Sequence, residues 1–242
     1  MGNCNGNGQG DRCPHGAHSP VTVRSRLPPQ VICFQSGDIV ASGGALTSVD
    51  EKLKTQKIIF LIGGPGAGKD IQCERLVAKY GFTHMCMGDL LRVEASFPTS
   101  RGRQIRDIMQ RGDIVPLDIV MTVLKDALLT KAESACGFLV DGFPREVSQA
   151  QEFERMIGHP SLVVVFECSA ETMVKRLVIR GQTSHRFDDN EDAIKRRMES
   201  YFKTDEPIIE FYNRKKLIRK ILAEESPEDV FLKTCAVIDS LE

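Results

Sequence analysis

From residue 57 onward the apolar positions alternate between two textures. KIIFLIG (57–63), GFLVDG (137–142) and LVVVFEC (162–168) are short apolar runs rich in β-branched residues, as expected of strands buried on both faces. THMC (83–86) and residues 218–222 read as two more short strands. Between the first two strands Cys73, Leu76, Val77 and Tyr80 fall at i, i+3, i+4 and i+7, the spacing of one helix face. Further helices are expected over 90–95, 102–111, 116–131, 146–156 and 170–179. A long helix carries Ile194, Met198, Tyr201 and Phe202 on one stripe, and Pro207 should bend or divide it. A final helix starts near Pro227. Strands alternating with helices predict an α/β fold of three layers, a five-stranded parallel sheet with helices on both faces. A ligand then belongs at the carboxyl ends of the strands.

Residues 1–49 have a different texture, with few charges, many Gly and Asn at the start, and Pro at 14, 20, 28 and 29. Only VICFQ (31–35) is strand-like. A disordered N-terminal tail followed by one folded domain over 50–242 is the expected organisation.

Charge and cysteine usage narrow the function classes. The 242 residues carry 32 basic and 33 acidic side chains, a net charge of -1, so there is no electrostatic footprint for nucleic acid. An anionic ligand must be held by local clusters of Arg or Lys. None of the eight cysteines forms a C-x-x-C pair, and no signal-peptide pattern is present. Those features predict a reduced, cytoplasmic protein with buried thiols. No apolar run approaches the roughly 20 residues of a membrane helix.

The chemistry concentrates in three places. GGPGAGK (63–69) lies between the first strand and an amphipathic helix. Glycines there let backbone N–H groups converge on phosphate oxygens at a helix N-terminus, and Lys69 reaches the outer phosphates as a point charge. The strict phosphate-loop rule asks next for Ser or Thr, to reach a magnesium ion; this chain has Asp70 and then Ile71. The second place is a set of arginines. Arg176 and Arg180 share a helix face at i, i+4, Arg186 and Arg197 follow, and Arg92 and Arg145 each come shortly after a strand. Six such forks suit a site holding several phosphates. The third is Asp141, a carboxylate at the tip of a buried strand, where magnesium or its bound water is commonly held.

GGPGAGK, GDLLR, GDIVPLDIV, GFLVDGFPRE and the short loop TSHRFDDNED together resemble the adenylate kinase family, most of all its short-lid cytosolic form. The match runs from about residue 51 to the C-terminus. The resemblance implies a phosphate-loop (P-loop) fold and reversible transfer of the ATP γ-phosphoryl group to AMP with Mg2+, giving two ADP. It places Gly64, Pro65, Gly66, Ala67, Gly68, Lys69, Asp70, Ile71, Arg176 and Arg180 at the ATP site. It places Met87, Arg92, Val115, Gly142, Arg145, Gln149, Arg186 and Arg197 at the AMP site, with Gln149 reading the adenine edge. Lys69, Arg145, Arg180, Arg186 and Arg197 become the catalytic set, and Asp141 the magnesium residue, acting through water. Residues 86–115 correspond to a mobile AMP-binding lobe and 179–190 to a short lid, which is too short for the zinc cluster of long-lid relatives. The partners implied are ATP, AMP and ADP, bound by a monomer.

Three positions depart from the family pattern. Asp70 and Ile71 replace Gly-Thr, and Met87 replaces Thr. A like charge about 5 Å from a phosphate, at an effective dielectric near 20, costs roughly 3 kcal/mol. Ile71 brings no oxygen to a magnesium shell. Met87 removes a hydroxyl near the AMP base, which raises a UMP- or CMP-directed kinase as an alternative, against which Gln149 and the sequence DGFPREVSQ argue. The other alternative is a catalytically weakened, nucleotide-binding pseudokinase. In the tail, MGNC sets Gly2 and Cys4 where two lipids could attach, although Gly6 stands where Ser or Thr is preferred. Cys4, Cys13, His15 and His18 match no standard zinc spacing, and His84 reads as a packing or surface histidine.

Overall fold

The computed structural model of the chain describes residues 53–184 and 186–241. The tail, its strand-like patch, the lipid-anchor residues and the Cys/His set near the start lie outside the described residues. Five strands form one sheet: β1 (Ile58–Ile62), β2 (Thr83–Cys86), β3 (Phe138–Asp141), β4 (Leu162–Glu167) and β5 (Ile218–Leu222), ordered β2-β3-β1-β4-β5. Every pairing is parallel, with β1 central: Ile58 faces Phe138 on one side, and Ile59 faces Leu162 on the other.

The crossovers carry α1 (Lys69–Tyr80), α2 (Met87–Ser96), α3 (Ser100–Arg111), α4 (Leu117–Lys131), α5 (Val147–Met156), α6 (Ala170–Gly181) and α7 (Glu191–Asn213), and α8 (Pro227–Asp239) follows the last strand. Because strand side chains alternate between faces, β1 divides its apolar residues between two cores. Phe60 packs with Val140, Phe153 and Tyr212 on the side of α4, α5 and α7. Ile59 and Leu61 pack with Cys73, Leu76, Val230 and Ile238 on the side of α1 and α8. All five residues of β1 are buried, which is why the strand reads as an unbroken apolar run.

Three expectations need correction. Pro207 does not divide the long helix, which runs unbroken from Glu191 to Asn213. Proline deprives the Lys203 carbonyl of its partner, yet Ile208 and Tyr212 just beyond it are buried in the core, and that packing carries the helix through. Phe202 does not join the Ile194–Met198–Tyr201 stripe. Those three pack against Met173 and Leu177 of α6, whereas Phe202 is 57% exposed. Helix α2 also starts earlier than the sequence pattern implies, directly at Met87, so β2 passes into it without a loop.

Candidate active site

The loop between β1 and α1 is shaped by its glycines. Gly66 takes φ +81°, and a Cβ there would lie 2.6 Å from the Met173 carbonyl oxygen, so a side chain is excluded both by backbone conformation and by space. Gly68, at φ 91°, precedes the first turn of α1, which receives no side-chain cap. The N–H groups of that turn are therefore donors available to an anion. Lys69 curls back over the loop, its Nζ donating to the carbonyls of Gly63 at 2.6 Å and Gly64 at 3.0 Å. Ala67 is buried behind it. Arg176 braces the loop from α6, donating to Ala67 O at 3.4 Å and to Ala223 O at 3.0 Å.

On the other side of the strand ends, a cleft is lined by Met87, Arg92, Val115, Gly142, Arg145, Gln149 and Arg197 together with Asp188. Seven of the eight residues expected at the acceptor site thus line one cavity. The eighth, Arg186, sits toward the loop, 3.6 Å from Asp70 and 3.5 Å from Asp89. Gln149 is buried, and its Oε1 accepts from the Arg145 backbone N–H at 2.9 Å, which leaves its amide NH2 as the donor end. Arg145 itself donates only from Nε to Gly142 O at 3.3 Å, and no carboxylate of the described residues pairs with it. Burial, and then the neighbouring Arg197 and Arg92 charges, depress its pKa. Three guanidiniums around one cavity, one of them without a carboxylate partner among the described residues, make a strong anion site.

The sequence reading overlooked the internal anion that occupies this cluster. Asp188 is 2% exposed and is held by the fork of Arg92, with Nε at 2.8 Å and Nη2 at 2.9 Å, and by Arg197 at 3.1 Å. Asp189 accepts from Arg180 at 2.8 Å and Arg197 at 2.9 Å. Burial alone would raise the pKa of Asp188, but the arginines, Arg92 foremost, hold it below the ordinary value. Two carboxylates of the 182–190 loop thus neutralise the arginine cluster. A pair of acids embedded between Arg186 and Arg197 was the available signal, since acidic neighbours of a predicted anion site must be either repelled or neutralised.

Asp141 ends β3 beneath the loop, 2% exposed. His84 Nε2 lies 3.9 Å from Asp141 Oδ2, so this histidine packs beside the site. Asp141 Oδ1 is solvent-inaccessible and has no hydrogen-bond partner. Burial opposes its ionisation, but His84 and Lys69 outweigh burial and keep it below the ordinary carboxylate range. An ionised, unsatisfied oxygen in such a cleft fits a hard cation or its bound water. Ile71 offers no oxygen and is 47% exposed.

A family model described as "Adenylate kinase" matches residues 61–217. "Adenylate kinase isoenzyme 1" of Sus scrofa and of Homo sapiens are each 50% identical to the chain over 194 residues, covering 80% of this chain and all of theirs. "Adenylate kinase isoenzyme 5" of Mus musculus is 44% identical over 233 residues, 90% of this chain and 41% of its own length.

Proposed function

Because the chain belongs to the adenylate kinase family of nucleotide phosphoryl-transfer enzymes, we propose that it transfers the γ-phosphoryl group of ATP to AMP, reversibly and with Mg2+, giving two ADP. The observation that carries this reading is the convergence of Arg92, Arg145 and Arg197 on one cleft, where Arg145 has no carboxylate among the described residues. An acceptor phosphate entering the cleft supplies the missing charge and displaces Asp188 from Arg92 and Arg197.

The donor occupies the loop of residues 64–71. Its phosphates accept from the backbone N–H groups at the head of α1, and Lys69 exchanges the Gly63 and Gly64 carbonyls for phosphate oxygens. Arg176 keeps the loop rigid, and Arg180 and Arg186 reach the phosphates from the 182–190 side. Transfer of this kind needs positioning and charge stabilisation rather than a protein nucleophile. Closure of the 179–190 segment over the site excludes water as a competing acceptor. Magnesium bound with the nucleotide would neutralise phosphate charge, with Asp141 as the residue holding it through water and Asp70 offering a further carboxylate oxygen within 4.8 Å of that of Asp141. Gln149 donates its amide N–H to an acceptor nitrogen of the adenine, and Met87 and Val115 pack beside the base.

Initial rates with ATP as donor and AMP, CMP or UMP as acceptor test the acceptor assignment. AMP should be used about tenfold faster or more; a fixed polar contact commonly discriminates by at least that factor. Faster transfer to CMP or UMP would replace this reading with a pyrimidine-monophosphate kinase.

A further inference from the structure

Cys86 has no part in the transfer chemistry above, yet it approaches the buried carboxylate of Asp141 together with Asp70 of the phosphate loop. One ligand atom from each of Asp70, Cys86 and Asp141 lies within 4.8 Å of the other two. A tetrahedral zinc ion with sulfur at about 2.3 Å and oxygen at about 2.0 Å holds its ligand atoms about 3.5 Å apart, a contraction that side-chain rotation can supply. The group is more than an acidic cluster, because Asp141 is 2% exposed and its Oδ1 has no partner. That is an unsatisfied oxygen on a residue of the set. We propose that Asp70, Cys86 and Asp141 form a binding site for a borderline-soft divalent cation, Zn2+ by its chemistry, at the mouth of the phosphate loop.

The thiolate sets the preference, because sulfur ligands select zinc over magnesium. Binding forms a sulfur–metal bond at Cys86 as the thiol proton passes to solvent, with no oxidant or reductant. Three protein ligands leave the fourth position open, as in zinc sites that take an exchangeable ligand. A second set, Cys73, His84 and Asp141, shares the same carboxylate. Cys73 is fully enclosed in the core, so a cation has no path to it. Asp70, by contrast, has a side chain 48% exposed, with Arg186 at 3.6 Å as its ion-pair partner. The opposing charges are Lys69, Arg186 and Arg145, and the cation must displace the Arg186 contact to reach Asp70. The site is defined without nucleotide, so it stands or falls independently of the acceptor assignment.

The test is titration of the full, reduced chain with Cd2+ in the absence of nucleotide, following thiolate-to-cadmium absorption in the ultraviolet. Zinc affinity is read by competition with a chromophoric chelator. The parent should show absorption that saturates first at this site. Cys86→Ser should remove that component and weaken Zn2+ about tenfold or more, as loss of a direct ligand requires. Asp70→Asn, at a solvent-facing position that does not threaten folding, should keep the band and weaken Zn2+ by a similar factor. A parent without the band, a first-saturating band that survives Cys86→Ser, or parental zinc affinity in Asp70→Asn would each overturn the site.

Discussion

Asp70 Oδ2 lies 3.6 Å from Nη2 of Arg186, so an acidic side chain at the head of α1 holds an arginine from the segment that faces it. Nucleotide phosphates must compete with that carboxylate for Arg186. They must also bear its charge at short range. Asp70→Gly should therefore tighten ATP binding. The full like-charge term is about 3 kcal/mol at about 5 Å and an effective dielectric near 20. Solvent screening at this half-exposed position reduces it, to about tenfold in dissociation constant. Calorimetric titration with ATP measures this, and an unchanged constant would show that Asp70 does not oppose the phosphates. Adding Ile71→Thr should then raise turnover at limiting Mg2+.

Asp188 neutralises three arginine contacts from a buried position. Its pKa is lowered in the folded state. Its contribution to stability is thus complete above the ordinary aspartate range and is lost as pH falls below about 4. Asp188→Asn leaves the guanidiniums uncompensated and should cost about 3 kcal/mol, several degrees in Tm, at neutral pH. The variant should also lose less stability than the parent on acidification. Saturating AMP should shrink the difference between the two proteins, because phosphate replaces the missing carboxylate. Scanning calorimetry with and without AMP checks both effects, and an AMP-independent difference would contradict the displacement.

Gly66 and Gly158 both have positive φ, +81° and +125°, but differ in surroundings. A Cβ at Gly66 meets the Met173 carbonyl, whereas nothing lies within 4 Å of one at Gly158. Alanine at either position carries backbone strain of about 1–3 kcal/mol. Gly66→Ala alone must also push α6 away, so it should be clearly more destabilising in urea and should weaken ATP binding. Equal stability losses would mean that the contact with Met173 relaxes freely.

Met87 is buried at the start of α2, beside the cleft. Met87→Thr adds a hydroxyl there. One hydrogen bond to a bound base is worth about 1 kcal/mol, so KM for AMP should fall about fivefold while kcat changes little. Steady-state kinetics with varied AMP decide it; an unchanged KM would place the hydroxyl out of reach of the base.

The sheet was legible because each of its three inner strands is buried on both faces and reads as an unbroken apolar run, as in β1. Placement at the strand ends was legible from residue order: Lys69 follows β1, Asp141 ends β3 and Arg145 follows it, whereas Gln149, within α5, was reached only through the family resemblance. Three features were not legible. Helical continuity across Pro207 depends on Ile208 and Tyr212 finding a core, which local propensity does not encode. The burial of Asp188 and Asp189 depends on arginines from α2, α6 and α7 converging, and sequence separation hides that convergence. The approach of Cys86 to Asp141 likewise follows from the register that sets β2 beside β3, and that of Asp70 from its place after β1, whose Leu61 faces Asp141.

Phosphoryl transfer here depends on a loop that carries Asp70 and Ile71 in place of Gly-Thr. The most direct measurement is ADP formation from ATP and AMP by the purified full chain, followed by a coupled assay across a range of Mg2+ concentrations. A working kinase yields two ADP per AMP consumed, with a rate that rises with Mg2+ and is lost in Arg145→Ala. Measurable ATP binding with no ADP formed at any Mg2+ concentration would contradict it and leave a nucleotide-binding protein without catalysis.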